Sequence, residues 1–309
     1  MKDLRKILCP VDTSSFSQRA LRHGMALGKW YGAEVVALLV SPVRFPPVLG
    51  FADPASVPPE PPDDPAIAAE SLGAFIRSVA DPGAITAIVR SGQIAPEILR
   101  VADELPADLI VMGTHGWGGF DRLLLGSVTE KVLRKARCPV LTVPRLAEGS
   151  TEPPEVTFAT IVCGVDRSRA SRRALEAALT LARESGGRLI LVHVLEDLSG
   201  EEPRFASHFN TEECWREIEP EIRASYEALV PGEVRVWCNV EVRTPRGKPS
   251  REILAVAEGC QADVIVLGTA GWQMPFGATT QHVLRAAACP VLAVPASATV
   301  TSGTAAREA

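Results

Sequence analysis

Ala107-Asp108-Leu109-Ile110-Val111-Met112-Gly113-Thr114 runs a short apolar block into a glycine, and the chain writes it twice, since Ala262-Asp263-Val264-Ile265-Val266-Leu267-Gly268-Thr269 follows 155 residues later. A brief Val/Ile/Leu run between an aspartate and a glycine has the length and composition of a strand buried on both faces, as parallel sheets require. Working outward, Lys6-Ile7-Leu8-Cys9-Pro10-Val11-Asp12 is matched by Thr160-Ile161-Val162-Cys163-Gly164-Val165-Asp166 at an offset of 154. Cys138-Pro139-Val140-Leu141-Thr142-Val143-Pro144 is matched by Cys289-Pro290-Val291-Leu292-Ala293-Val294-Pro295 at 151, so four residues are missing from the second copy between its last two blocks. Blocks repeated in one order mean one domain made twice.

Segments of helical period separate the apolar runs, which predicts an α/β class with crossover helices. In the first copy strands are expected near 6–12, 34–40, 85–90, 108–113 and 139–143, and helices near 15–31, 66–79, 95–104 and 127–136. The second copy has expected strands near 160–166, 188–194, 233–242, 263–268 and 290–294, and helices near 169–185, 211–229, 250–258 and 278–287. Glu148 to Pro154 has linker composition, giving a first domain over 1–146 and a second over 156–296. Residues 297–309 are small and polar without period and are expected to form a flexible tail. Residues 42–65 carry nine prolines and read as an extended loop over the first sheet, either a lid or a tolerated insertion.

Composition narrows the function. The 309 residues are 46% hydrophobic and 22% charged with a net charge of -5, a globular balance in which nucleic acid is not the expected partner. No apolar stretch reaches the roughly 18 residues that span a bilayer, and Met1 to Lys6 runs into Ile7 without a secretory core, so no membrane association and a cytoplasmic location are expected. The seven cysteines contain no C-x-x-C pair, and the five histidines have no metal-ligand spacing. Four of the cysteines, Cys9 with Cys163 and Cys138 with Cys289, repeat at strand positions where a small apolar side chain packs.

The chemistry concentrates after the fourth strand, in Gly113-Thr114-His115-Gly116-Trp117-Gly118-Gly119-Phe120-Asp121-Arg122-Leu123-Leu124-Leu125-Gly126-Ser127, before helical Val128-Thr129-Glu130. Glycines let backbone N–H groups approach a ligand, and a helix N-terminus adds unpaired donors and partial positive charge, which together cradle phosphate. Ser127 and Thr129 can each donate a hydroxyl to phosphate, and Ser127 can instead cap the helix. Asp12, ending the first strand, can serve a ligand or cap the helix that begins near Ser14-Ser15. His115 can touch the ligand or be solvated.

Gly113-x-x-Gly116, nine residues, then Gly126-Ser127 resembles the G-2x-G-9x-G-[S/T] signature of nucleotide-binding universal stress proteins, and both copies resemble that family's five-stranded domain. The resemblance implies two tandem open parallel sheets of order 3-2-1-4-5 with helices on both faces, similar to the adenine nucleotide alpha hydrolase fold. Ligands of such sheets bind where the order reverses, outside the carboxyl ends of the first and fourth strands. By that similarity Pro10, Val11 and Asp12 line the adenosine side and Val40 meets adenine through its backbone. Gly113, Thr114, His115, Gly116, Arg122, Gly126, Ser127, Val128 and Thr129 surround ribose and phosphates, and the implied ligand is ATP, with or without Mg²⁺.

The second copy departs from the signature. Gly268-Thr269-Ala270-Gly271 is followed by only five residues before Gly277, and Ala278 stands where Ser127 stood. The shortening is expected to remove backbone donors and draw the helix start toward the strand, leaving a pocket that does not hold ATP in the family manner although Asp166, Val194 and Thr280 remain. Met274-Pro275-Phe276 can fill the phosphate space. The loop holds no lysine and Arg122 as its one cation, so a binding regulator is favoured over an ATP-dependent hydrolase or adenylating enzyme, with a scaffold lacking nucleotide as the third reading. The fifth strands, apolar and at sheet edges by the family's order, are expected to pair the halves as an internal pseudo-dimer, with a homodimer of whole chains as a further assembly.

Overall fold

The computed structural model describes residues 4–42, 65–81, 83–114, 125–145, 156–196, 212–269 and 277–296. The proposed lid, apart from its two end residues, and the tail beyond residue 296 lie outside them. The first half runs β1 (Lys6–Val11), α1 (Ser15–Tyr31), β2 (Glu34–Ser41), α2 (Pro65–Arg77), β3 (Thr86–Ser91), α3 (Ile94–Glu104), β4 (Leu109–Gly113), α4 (Ser127–Lys135) and β5 (Val140–Val143). The second runs β6 (Thr160–Gly164), α5 (Arg169–Ser185), β7 (Arg188–Val192), α6 (Glu212–Glu227), α7 (Val234–Trp237), β8 (Asn239–Arg243), α8 (Pro249–Gly259), β9 (Val264–Thr269), α9 (Ala278–Ala286) and β10 (Val291–Pro295).

Each half has the expected parallel order, but the two do not form separate sheets. The strands make one ten-stranded sheet, β3-β2-β1-β4-β5-β10-β9-β6-β7-β8, joined by the antiparallel pairing of β5 with β10. Its register sets Val140 opposite Ala293, Leu141 opposite Leu292 and Thr142 opposite Val291, and the Thr142 hydroxyl donates to the Val291 carbonyl at 3.2 Å. The apolar fifth strands thus cover each other's edges, as an internal pseudo-dimer, and the open edges pass to β3 and β8.

Side chains alternate between two cores. Ile7, Cys9 and Val11 of β1 face the core under α1 and α2, whereas Leu8 faces the core under α3 and α4, and the second half repeats this with α5 and α6 opposite α8 and α9. Helix α1 approaches the sheet on glycine: a Cβ at Gly24 would stand 2.4 Å from Cys9 Sγ. Cys9 is fully buried and its thiol is pushed up to about 12, consistent with the packing role expected for it.

One expected strand is corrected. The run from 233 to 242 begins as the helical turn α7, and only Asn239 to Arg243 joins the sheet. The neighbouring strand explains this. β7 starts at Arg188, directly opposite Asn239, after a turn at Gly186, which has φ 62°. Residues before 239 therefore have no ladder to join, and their N–H groups find acceptors in the turn, as in Cys238 N–H to Val234 carbonyl at 2.9 Å.

Phe158, just before β6, crosses to the first half and packs edge-on against Trp30 and His23 of α1. His23 is 6% exposed, with Nδ1 2.9 Å from the Arg19 carbonyl, and burial brings its pKa down to about 4. Because the folded value lies below the unfolded one near 6.5, the unfolded chain binds the proton first, so stability is full above pH 6.5 and declines as pH falls toward 4. Between pH 7 and 5 this one group costs about 2 kcal/mol. Urea unfolding at both pH values should therefore show a clear decline for the native chain and a smaller one for His23→Leu.

Candidate functional site

The crevice lies at the carboxyl ends of β1 and β4, where the strand order reverses. The β1–β4 ladder ends at Leu8 opposite Ile110, while β1–β2 continues to Val11 opposite Leu39. Pro10, buried and without an N–H, stands two residues beyond the last β4 pair, and Val11 is 6% exposed. Val40 is buried in β2 beside Arg90 of β3.

Asp12 follows, half-buried, and is tied into a small network. Its Oδ1 accepts from Ser14 N–H at 3.1 Å and from the hydroxyls of Ser14 and Ser17, both at 2.5 Å, while its own N–H donates to Ser17 Oγ at 3.0 Å. Ser14 is the N-cap of α1, its oxygen accepting from Ser17 N–H. Asp12 thus braces the cap residue rather than capping the helix itself. Thr13 closes the turn with φ 62°, a left-handed conformation unfavourable for a β-branched residue and typical of functional turns. Ser14 and Ser17 were not singled out in the sequence, yet the signal is there: Asp-x-Ser-x-x-Ser recurs as Asp166-Arg167-Ser168-Arg169-Ala170-Ser171, where Ser168 N–H reaches Asp166 Oδ1 at 2.7 Å.

On the β4 side, Gly113 pairs with Val143 of β5, and Thr114, 5% exposed, donates its N–H to the Val143 carbonyl at 3.1 Å. Two hydrogen bonds then close the loop at its base. Gly126 N–H donates to the Thr114 carbonyl at 2.8 Å, and the Thr129 hydroxyl donates to the Gly113 carbonyl at 2.9 Å. His115, Gly116 and Arg122 fall in the loop outside the described residues. Thr129 is corrected as a phosphate donor: it is 3% exposed, and its single hydroxyl proton is directed to Gly113.

Gly126 caps α4 with φ -57° and ψ 139° and no side-chain bond, and Ser127 is exposed at the first helical position, with Val128 half-buried behind it. Ser127 is therefore not the cap. Glu130 N–H is the first to find an intrahelical acceptor, Gly126 O at 2.9 Å, so the amides of Ser127, Val128 and Thr129 precede the helical ladder.

The second half repeats the framework and differs in what it frames. Thr280 Oγ1 donates to Gly268 O at 3.2 Å, and Gly277 caps α9 with φ -55° and ψ 142°. The helix start is held to the strand as in the first half, so the expected displacement does not occur. The missing residues are taken up wholly within 270–276, which also contains Met274-Pro275-Phe276 and lies outside the described residues. At the strand end Gly164 replaces Pro10 and is closely packed, since a Cβ there would stand 2.5 Å from Leu267 and 3.0 Å from Ile253. The β6–β9 ladder also runs one pair further, to Cys163 opposite Val266.

Comparison with known proteins follows the same division. The sequence profile of the Universal stress protein family matches residues 3–144 and again 157–295. A universal stress protein of Methanocaldococcus jannaschii is 36% identical over 149 residues, 46% of this chain and 82% of that one. One from Mycolicibacterium smegmatis is 29% identical over 192 residues, 61% of this chain and 62% of that one. Among solved structures, a universal stress protein from Archaeoglobus fulgidus superposes with a TM-score of 0.64 at 24% identity, covering 95% of this chain and 97% of that one, a likeness of fold. Among the described residues no helix is long and apolar enough to cross a membrane.

The loop closure has a measurable worth. Thr129→Val keeps the shape and leaves the Gly113 carbonyl without its partner, so chemical denaturation should show a loss of about 1 to 3 kcal/mol, with a similar loss for Thr280→Val.

Proposed function

The chain belongs to the universal stress protein family, and on that premise we propose that its first half binds an adenine nucleotide, ATP, with its phosphates on the amino end of α4 and its adenosine beside Pro10, Val11, Asp12 and Val40. One observation carries this reading: the loop from Gly113 to Gly126 is closed at its base by two hydrogen bonds, beside three uncapped helix amides. The backbone of Gly126 lies in a region open to any residue, so its conformation does not explain the glycine. Close approach of a ligand would account for it. Exposed Ser127 has its hydroxyl at the same helix end, suited to a phosphate oxygen.

Binding is favoured over turnover. Phosphoryl transfer needs cations on the phosphates and a positioned nucleophile, and the loop supplies Arg122 as its one cation and no lysine. The most frequent partner of Mg²⁺ in such a site is a carboxylate, a role open to Asp12. The second half, with Ala278 for Ser127 and a loop four residues shorter, is assigned a structural or regulatory part.

Titration calorimetry of the whole chain with ATP and Mg²⁺ should give one site per chain. Gly126→Ala with Ser127→Ala should weaken it about tenfold to a hundredfold, and a phosphate-release assay should give turnover far below that of a dedicated ATPase. Unchanged affinity in the double variant would remove the assignment.

A further inference from the structure

The fifth strands are spent on each other, so the open edges of the sheet are β3 and β8, and the two edges are not alike. The first half passes from α2 to β3 through residues 78–85 and the second from α6 to β8 through 228–238, and among the described residues only the second forms a helix there, α7. That added turn displays apolar surface. Val236 is 85% exposed and Trp237 39%, and residues 235–240 line an open groove of about 420 Å³ at the start of β8. A valine and a tryptophan left in water beside an unpaired strand forfeit burial that a partner would supply.

The β8 edge also presents a definite row of hydrogen-bonding groups. A strand residue directs its N–H and C=O to one side, and the side alternates along the chain. The carbonyls of Arg243 and Pro245 accept from His193 N–H at 3.0 Å and Leu195 N–H at 2.9 Å, so the odd-numbered residues of this segment face β7. Val240, Val242 and Thr244 therefore face outward, and Pro245, which has no N–H, leaves the outer row unbroken. Val240 and Val242 pack their side chains in the core beneath α6, whereas Glu241 and Arg243 project from the other face, with Arg243 Nε 2.6 Å from Glu241 Oε1.

We propose that β8 pairs antiparallel with β8 of a second copy of this chain, about a two-fold axis at Val242. An axis perpendicular to the sheet keeps like faces together, which restricts the pairing to registers in which one residue meets its own counterpart. Centring on Glu241 or Arg243 sets like charges opposite each other, and centring on Val240 leaves Glu241 opposite Asn239. Centring on Val242 sets Glu241 opposite the copy's Arg243 on both sides of the axis and Val240 opposite the copy's Thr244, so that the outer rows bond. α7 then lies beside the segment that follows the copy's β8, adding Val236 and Trp237 to a contact that five residues of strand alone leave small. The β3 edge, Thr86–Ser91, has Arg90 as its one charge and offers no such match. The proposal does not depend on nucleotide binding by the first half.

Sedimentation velocity of the whole chain over a concentration series should show a monomer–dimer equilibrium, and hydrogen exchange at the Val240, Val242 and Thr244 amides should slow as the dimer forms. Arg243→Glu and Glu241→Arg each set like charges across the axis and should each weaken the dimer at least about tenfold, while an equal mixture of the two variants should restore it, because each chain then supplies the other's opposite charge. Val236→Ser with Trp237→Ser, both on the exposed turn, should weaken it as well and keeps the test open if a charge variant fails to fold. A monomer at every concentration, a dimer that these substitutions leave unchanged in folded chains, or a mixture no tighter than either charge variant alone overturns the proposal. So does growth beyond a dimer, which would join β8 to β3 in an open chain of copies.

Discussion

The antiparallel contact of β5 with β10 is the constraint on which the rest depends. Two parallel half-sheets that end in short, wholly buried strands each leave a row of unpaired backbone groups, and pairing those rows satisfies both at once. Because the contact is antiparallel, the strands of one half point opposite to those of the other. The carboxyl ends of the two halves therefore point in opposite directions along the strands of a single sheet. Phe158 secures the seam from one side, fully buried against α1.

Much of this was legible because buried parallel strands and amphipathic helices leave strong periodic signals, and because each signal occurs twice. The strand order came with the family resemblance. The pairing of the halves was expected from the apolar fifth strands at the sheet edges, whereas its antiparallel register, which merges the two sheets into one, is set by long-range contacts that no local pattern encodes. The residues 233–238 look like a strand by composition, but β7 begins too late to receive them. Thr129 reads as a ligand donor from its place after Gly126-Ser127, and only the fold reveals the Gly113 carbonyl beside it. The helix start at Gly277 was misjudged for a related reason: loop length does not locate a helix that a threonine already ties to the strand.

The halves differ in a pattern with physical meaning. Hydrogen bonds that hold the backbone are kept, including the Asp-Ser-Ser turn and both threonine ties. Exposed groups at the carboxyl ends are changed, with Ser127 becoming Ala278 and neutral Ser15 becoming cationic Arg169. Framework and contents vary independently because they occupy different atoms: the framework uses carbonyls and buried hydroxyls, and the contents use exposed side chains.

The seam has one further consequence. A pair of identical subunits joined along this edge would come apart on dilution, whereas a continuous chain keeps its halves together at any concentration. Identical subunits also share every substitution, so a loss at one crevice is a loss at both. Covalent continuity lifts that restriction, and one crevice is free to drift while its twin keeps the ancestral lining.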